Sequence, residues 1–539
     1  MAVGRMYVDS IHFGINLVAK LEKLKFPFLP FAVLNLFLFA SLPEARSQIT
    51  AQAHEAFETG NYVDAVDLYT RVVEREPDNQ FFNERLGQSY LKTYIDPLYA
   101  LDYLLLAENA GKIDKMLYMD LAEASTYHLD YDQTLFYLKK FEEEGGVKKK
   151  NQAKYSKMQQ DCIAALDLLK YPVDVSFSLL DEAVNSSYTD YHPFISKDGK
   201  SIYFTSRRKI KPGQEKEFDG YYPSDIFVTT RTETGWSEAE RLPDAVNTSY
   251  DEQIVGITDS GDSIFFYIDH VESVGDIYVC AKELGEFRQP KYLGEQVNSL
   301  KIESACSISK DGNTLIFSSD RQNGYGELDI YMVKRLDNGE WGPAENLGPE
   351  INTPLNEDFP TLSGDGLTMY FSSDGHAGMG GYDLFFSTWD VQNKVWSKPQ
   401  NLGYPINSPY DNKTISFNLT GDLAYVTRME PGSNSQLDIY EVRFNKEIAE
   451  DPAVFLVNIP AIESIDGLKP QIEIKNDLDE VVGRYSPNSI TGRYVIALQP
   501  GKYFLYVDAE GYQPYTEVLV VNNFHKRQEQ NVKLINLEE

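Results

Sequence analysis

The spacing of apolar residues along the chain changes near residue 170. Before that point apolar residues recur at steps of three to four, which is the period of an amphipathic helix. The clearest series is Phe57, Tyr62, Ala65, Tyr69 and Val72. After that point short apolar runs such as "TLIFSS" and "DIYMV" alternate with stretches rich in glycine, asparagine and aspartate. The pattern therefore predicts an α-helical part followed by an all-β part.

The helical part contains a repeated helix pair. In its first copy Gly60 begins a turn between two helices, small Ala65 allows the helices to approach, and Pro77 ends the unit. Weaker copies contain Leu86, Gly87 and Tyr90, then Leu121, Ala122 and Tyr131. The first unit closely resembles the tetratricopeptide repeat, whose packing positions are Gly60, Tyr62, Ala65, Tyr69 and Pro77 here. The resemblance implies a repeat domain over residues 48–170 with a groove that binds proteins. The alternative is that the domain has no binding role and serves only as a spacer that holds the next domain.

A second, longer repeat occupies the β part. Each copy contains an aspartate followed by isoleucine or leucine and an aromatic residue. These aspartates are Asp225, Asp276, Asp329, Asp383 and Asp438, separated by 51, 53, 54 and 55 residues. A period near 50 with four short strands per copy predicts a β-propeller of five blades over residues 173–447. The motif resembles the WD40-like, TolB-like kind of propeller repeat.

The first and last copies of this repeat are both incomplete, and each contains the strands that the other lacks. The stretch before Asn185 supplies a fourth strand without the first three, and the last copy lacks its fourth strand. We predict that a strand at 176–180 pairs with a strand at 439–443. Such pairing would close the ring and leave no free sheet edge.

The glycine-rich stretch "SSDGHAGMGGYDLFFS", residues 372–387, is one copy of the loop before the repeated aspartate. No helix follows it, so it is not a phosphate-binding loop. We interpret it as a surface connection with an exposed His376. For the five aspartates we favour a structural role, in which each accepts backbone N–H groups at the start of a strand. The alternative is a ring of carboxylates that binds a cation in the channel.

The last part, residues 453–535, shows strict alternation in "RYVIAL", "KYFLYV" and "TEVLVV", which predicts a small antiparallel β-sandwich. Its motif from Thr491 to Tyr512 closely resembles the carboxypeptidase-regulatory-like, transthyretin-type module, which is not a peptidase. The sequence contains no HExxH, GxSxG or paired metal-ligand motif. We therefore predict no enzymatic activity, no cofactor and no metal.

The net charge argues against some classes of partner, and the cysteines argue against a disulfide or metal framework. The net charge of −32 disfavours direct binding to nucleic acid or anionic lipid. Three widely separated cysteines, Cys162, Cys280 and Cys306, form neither a disulfide framework nor a metal motif, so we expect them to be buried as small hydrophobic side chains.

The order of parts resembles the PorE-type envelope proteins of Bacteroidota. The resemblance implies a periplasmic protein of the type IX secretion and gliding apparatus, associated with other envelope proteins and with the outer membrane. Family members bind peptidoglycan through a C-terminal OmpA-like domain. The sequence ends at Glu539, where that domain would begin, so peptidoglycan binding is not expected. The expected function is a non-enzymatic scaffold. The alternatives are a propeller that senses or converts a ligand or cation, and a chaperone for secreted substrates.

The N-terminus predicts export. Basic residues Lys20, Lys23 and Lys25 precede an apolar run from residue 26 to 42, and small residues follow at the expected cleavage site. An uncleaved membrane anchor is the alternative, but Pro30 interrupts a run that is short for a span. With the signal peptide at 1–47 removed, no membrane span is expected.

We predict that the mature chain begins near Gln48, because the basic, apolar and small-residue segments occur in the order that signal peptidase requires. N-terminal sequencing of the protein from an envelope fraction checks this. Recovery of residues 1–40 on the envelope-bound protein would contradict it.

Overall fold

The structure, a computed structural model, describes residues 48–531 with short gaps. The gaps are 94, 111–113, 171, 271–272, 365, 391–393, 419–420, 422, 431–436, 445–452, 460–469, 488–492, 499–500, 510–511 and 522–526. The predicted signal peptide and Thr491 of the sandwich motif lie outside the described residues. Within the described part, no helix combines the length and apolar character needed to cross a bilayer.

Seven helices form the first part of the described chain. They are α1 (48–58), α2 (Tyr62–Val73), α3 (Gln80–Leu91), α4 (Tyr99–Asn109), α5 (Met116–Tyr127), α6 (Tyr131–Glu143) and α7 (Gln152–Leu168). Helices α2, α3 and α6 begin at Asn61, Asn79 and Asp130, whose side chains accept backbone N–H groups of the first turn. Close packing of α3 on α4 requires Gly87, since a Cβ there would lie 2.6 Å from Leu104 Cγ.

The β part begins with β1 (Val175–Leu179) and continues as five antiparallel sheets. Sheet 1 contains β2 (Asp190–Ile195), β3 (Ser201–Ser206), β4 (Asp225–Thr230) and β5 (Glu240–Arg241). Sheet 2 contains β6 (Asp251–Ile257), β7 (Ser263–His270), β8 (Ser273–Glu283), β9 (Glu286–Phe287) and β10 (Lys291–Tyr292). Sheet 3 contains β11 (Glu303–Ile308), β12 (Thr314–Ser319), β13 (Asp329–Lys334) and β14 (Glu345–Asn346).

Sheets 4 and 5 complete the set. Sheet 4 contains β15 (Glu357–Leu362), β16 (Thr368–Ser373), β17 (Asp383–Asp390), β18 (Val395–Trp396) and β19 (Gln400–Asn401). Sheet 5 contains β20 (Ile415–Phe417), β21 (Leu423–Arg428), β22 (Asp438–Phe444) and β1. The first strands of sheets 1 and 2, 2 and 3, 3 and 4, and 5 and 1 contact one another. Apolar side chains of sheets 4 and 5 share a core. The sheets therefore form a ring, and the prediction of a β-propeller is confirmed.

Strand β1 closes this ring. It pairs antiparallel with β22, placing Ser176 opposite Arg443 and Leu179 opposite Tyr440. The predicted pairing of the first strand of the β part with the last copy is confirmed. Because β1 supplies the outer strand of sheet 5, the first and last segments of the propeller stabilise the same sheet.

A buried asparagine ties each sheet together, and we call this contact the asparagine bridge. In every sheet its Oδ1 accepts the N–H of the residue after the repeated aspartate at 2.7–3.1 Å. Its Nδ2 donates to the carbonyl of that same residue at 2.8–3.0 Å. The pairs are Asn185–Ile439, Asn247–Ile226, Asn298–Ile277, Asn352–Ile330 and Asn407–Leu384. Only the Asn185 pair joins the two ends of the propeller, across 254 residues.

The last part of the chain consists of two sheets with a shared apolar core. One contains β23 (Ala453–Asn458), β26 (Tyr494–Leu498) and β29 (Arg527–Asn531). The other contains β24 (Gln471–Asn476), β25 (Val481–Tyr485), β27 (Gly501–Asp508) and β28 (Tyr515–Val521). Arg484 lies 3.6 Å from Asp167 of α7, so this part also contacts the helices. Its assignment as a transthyretin-type module stays a prediction.

We predict that Asn185→Ala lowers the free energy of unfolding by about 2 kcal/mol, because it leaves the buried N–H of Ile439 without its acceptor and removes one of the two hydrogen bonds to the Ile439 carbonyl, which also accepts from the Leu180 N–H. Asn313→Ala, in an exposed turn, is the matched control and is expected to cost less than about 0.5 kcal/mol. Denaturant unfolding of both variants measures the difference. Equal stability of the two would show that Asn185 does not hold the ring closed.

Candidate functional site: the junction of helices and propeller

The turns that join paired helices face the propeller. The α1–α2 turn meets the β3–β4 loop, where a Cβ on Gly220 would lie 2.7 Å from Asn61 Oδ1. At the end of α5 the Tyr127 ring lies 5.1 Å from the ring of Tyr410, which follows β19. The Tyr131 hydroxyl donates to the carbonyl of Met379 at 2.8 Å. Helices and propeller thus meet along one junction that spans sheets 1, 4 and 5.

The glycine-rich loop between β16 and β17 is the centre of this junction. Met379 is fully buried and packs in the core of the helices, not of the propeller. The Gly378 N–H donates to Asp161 Oδ1 at 2.9 Å. A Cβ on Gly378 would lie 1.7 Å from Asp383 Oδ2, and one on Gly380 would lie 2.6 Å from the carbonyl oxygen of Pro409. The expectation of a surface connection is wrong, because these glycines permit close packing.

Three ionisable groups meet at this loop. The Lys157 ammonium lies 2.6 Å from Asp161 Oδ1 and 2.7 Å from its Oδ2, and Asp161 is buried. Asp383 accepts the Met379 N–H at 2.5 Å. Burial raises the pKa of Asp161, and burial with the nearby Asp161 charge raises the pKa of Asp383 to about 8. Burial therefore favours the protonated form of Asp383, and Lys157 balances the carboxylate of Asp161.

The five repeated aspartates lie on the third strand of each sheet, outside the inner strands β2, β6, β11, β15 and β20. Asp329 accepts backbone N–H groups of Tyr325 at 2.5 Å and Gly326 at 2.9 Å. Asp225 pairs with Arg241 at 2.8 Å. Asp438 is buried, and burial raises the pKa of half-buried Asp276. The five carboxylates do not converge on the channel, and no group of three or more metal-ligating side chains occurs among the described residues.

Two side chains meet across the channel. The rings of His192 on β2 and Phe359 on β15 lie 4.3 Å apart, although their sheets are not neighbours in the ring. Both residues have positive φ, 51° and 47°, and each lies at an irregularity in strand pairing. Burial lowers the pKa of His192 well below its usual value, so its ring is neutral. The contact obstructs the channel at this level.

His376 is largely buried, so the expectation that it is exposed is wrong. Its Nε2 lies 2.7 Å from the carbonyl oxygen of Ile351, and its ring lies 5.3 Å from that of Phe385. Burial lowers its pKa to about 4, so the neutral ring donates this hydrogen bond. In sheets 1 and 3 an arginine contacts the equivalent carbonyl, Arg208 at 2.7 Å and Arg321 at 2.5 Å. His376 therefore replaces an arginine that links successive sheets.

The structure describes all five predicted packing residues of the first helix pair. Ala65 and Tyr69 are fully buried, and the Tyr62 ring lies 5.4 Å from that of Phe57. Gly60 has φ of 84°, which favours glycine, and the carbonyl of Pro77 accepts from Asn83 at 2.7 Å. All three cysteines are free and buried, which confirms the expectation for them.

A row of polar side chains crosses the helices α3, α5 and α7, and we call it the polar row. It contains Arg85, Gln88, Asp120, Glu123 and Lys154. Gln88 donates to Asp120 at 2.8 Å, and Lys154 lies 2.6 Å from Glu123. Burial raises the pKa of Asp120 to about 6. The half-exposed row was not predicted, because its members share no motif and meet only after α3, α5 and α7 align.

No protein-family model matches the sequence, and no curated protein matches it significantly. Similar solved structures include TolB from Acinetobacter baumannii, at 15% identity over 54% of this chain and 69% of that chain, with TM-score 0.31. A putative TolB from Agrobacterium tumefaciens is 12% identical over 65% of this chain and 99% of that chain, with TM-score 0.30. A GH43 β-xylosidase/α-arabinofuranosidase from a compost metagenome is 12% identical over 50% and 94%, with TM-score 0.35. Likeness at this level carries no argument about function.

We predict that Met379→Ser lowers the free energy of unfolding by about 3 kcal/mol, because it removes a large side chain from the core of the helices. Leu284→Ser, at a position that is 98% exposed, is the control and should change stability little. Thermal unfolding and limited proteolysis between α7 and β1 are measured for both variants. If the two variants show the same thermal unfolding and the same proteolysis pattern, Met379 does not support the core of the helices, and the loop is a surface connection after all.

Proposed function

We propose that the protein is a non-enzymatic periplasmic scaffold of the cell envelope that binds other envelope proteins. The proposal rests on the resemblance in the order of parts: tetratricopeptide-like helices, a five-bladed propeller and a regulatory-like sandwich. By that resemblance its partners are components of the type IX secretion or gliding apparatus. Binding would use the polar row of the helices together with a face of the propeller.

The observation that supports this proposal most strongly is the junction. Buried contacts from Asp161, Tyr131 and Met379 fix the helices to the propeller, so the two parts form one platform. The polar row lies on the helices yet remains half-exposed, with Arg85 28% and Lys154 57% accessible in their side chains. A preordered polar surface loses little conformational entropy when a partner binds.

The sensor or enzyme alternative receives less support. A ligand site in the channel would need open space near the axis, where His192 contacts Phe359. A cation site would need converging carboxylates, whereas the repeated aspartates lie two strands out from the axis. The pattern of buried pairs and hydrogen bonds around these groups is that of a structural framework.

The test is affinity capture from an envelope extract with the mature chain as bait. We expect Arg85→Glu/Lys154→Glu to reduce recovery of specific partners about tenfold relative to wild type, because it reverses two charges of the polar row. The control is Lys139→Glu/Lys149→Glu, which reverses two lysines outside the polar row, one of them with a 73% accessible side chain. Circular dichroism verifies that both variants fold.

Partners lost by the polar-row variant, kept by the control and identified as secretion or gliding components would support the proposal. Equal recovery by both variants would contradict a role for the polar row. Recovery confined to cytoplasmic proteins would contradict the envelope assignment.

A further inference from the structure

Two carboxyl groups meet across the junction of helices and propeller. Asp161 lies on α7, and Asp383 is the first residue of β17. They bind adjacent backbone groups of the glycine-rich loop. The Gly378 N–H donates to Asp161 Oδ1 at 2.9 Å, and the next N–H, that of Met379, donates to Asp383 Oδ2 at 2.5 Å. Each part of the molecule therefore contributes one carboxyl group to the same buried place.

One cation faces this pair. The Lys157 ammonium lies 2.6 Å and 2.7 Å from the two oxygens of Asp161, and the lysine side chain is 13% exposed. Asp383 is fully buried, and its Oδ1 has no hydrogen-bond partner among the described residues. With both carboxyls ionised, two negative charges would face a single positive one. With one proton bound the charges balance, which matters because a buried charge without a counter-ion is costly.

The other titratable groups around the pair do not supply the missing positive charge. Burial raises the pKa of Tyr131 on α6, and burial followed by the Asp161 charge raises the pKa of Cys162 to about 12, so both groups are neutral. Burial lowers the pKa of His376 to about 4, so its ring is neutral as well. Burial and then the negative charge of Asp374 in the loop raise the pKa of Asp161.

The equivalent aspartates of other sheets have different surroundings. In sheet 1 Asp225 pairs with Arg241 at 2.8 Å. In sheet 3 Asp329 accepts the Asn346 side-chain amide at 2.7 Å and two N–H groups of its own loop. In sheet 4 Asp383 instead faces a carboxylate that belongs to the helices. The arrangement is therefore a property of the junction and not of the repeat.

We propose that docking of the helices on the propeller takes up one proton from solvent, which the Asp161–Asp383 pair holds, so that the junction loosens as the pH rises. Opening the junction separates the two carboxyls and hydrates them, so both can then ionise. This regulation is independent of the polar row and of the partners proposed for it.

The direction of the pH dependence follows from Asp383. Burial and the nearby Asp161 charge raise its pKa from 3.8 to about 8. A carboxyl whose pKa is raised in the docked state stabilises that state at low pH, and this contribution is lost as the pH rises toward 8. The docking equilibrium therefore weakens between pH 6 and pH 8.

The experiment labels the mature protein with iodoacetamide at pH 6, 7 and 8 and quantifies each cysteine by mass spectrometry. Cys162 packs in the same core as Met379 and becomes reactive when the junction opens, whereas Cys280 and Cys306 lie in the core of the propeller. A short cysteine peptide labelled in parallel corrects for the ionisation of the thiol itself. We expect the corrected rate at Cys162 to rise about tenfold from pH 6 to pH 8, with little labelling of the other two.

Two variants test the carboxyl pair. Asp383→Asn keeps an acceptor for the Met379 N–H but cannot ionise, so its corrected rate should be the same at all three pH values. Asp161→Asn should also flatten the dependence, because Lys157 can then balance an ionised Asp383. Asp329→Asn, the equivalent change in sheet 3, is the matched control and should keep the wild-type dependence. Circular dichroism verifies that each variant folds.

The proposal is wrong if either folded variant of the pair keeps the wild-type pH dependence, or if the corrected wild-type rate at Cys162 does not rise with pH. It is also wrong if Cys280 and Cys306 are labelled as fast as Cys162, since the pH dependence would then belong to unfolding of the whole protein and not to the junction.

Discussion

The asparagine bridge is the interaction on which the propeller depends. The outer strands β5, β14, β18 and β19 contain two residues each. Strands this short cannot pair with all the backbone N–H and carbonyl groups of the adjoining third strand. A buried amide supplies both a donor and an acceptor to one residue of that strand. Each asparagine follows a buried valine or isoleucine, so the same segment anchors in the core and completes the hydrogen bonding.

Closure of the ring and docking of the helices are coupled through this bridge. Asn185 follows β1, and β1 follows α7 after a short connection in which the Val173 N–H donates to the carbonyl of Tyr404 at 2.6 Å. The chain therefore leaves the helices directly beside sheets 4 and 5, which also carry Met379 and Tyr410 of the junction. Loss of closure would remove the support for the junction, and the two parts of the molecule share their stability.

Much of this architecture follows from the sequence, because repetition reveals it. The repeated aspartates give the period, and the unmatched strands at both ends predict the β1–β22 pair that the structure contains. The junction of helices and propeller could not be predicted from the sequence. Gly378 and Asp161 are 217 residues apart, and the loop sequence carries no sign of a partner on a helix. The expectation of an exposed His376 is wrong for the same reason, because its contact with the Ile351 carbonyl joins residues 25 apart that no motif connects.

The most direct test of ring closure is hydrogen–deuterium exchange at the Ile439 amide of the mature protein. If Asn185 bridges the two ends of the propeller, this amide is protected to the same degree as the amides of Ile330 and Leu384, which bind Asn352 and Asn407 within the chain's interior repeats. Exchange at Ile439 orders of magnitude faster than at Ile330 and Leu384 would mean that the ring opens at this point, and the account would fail.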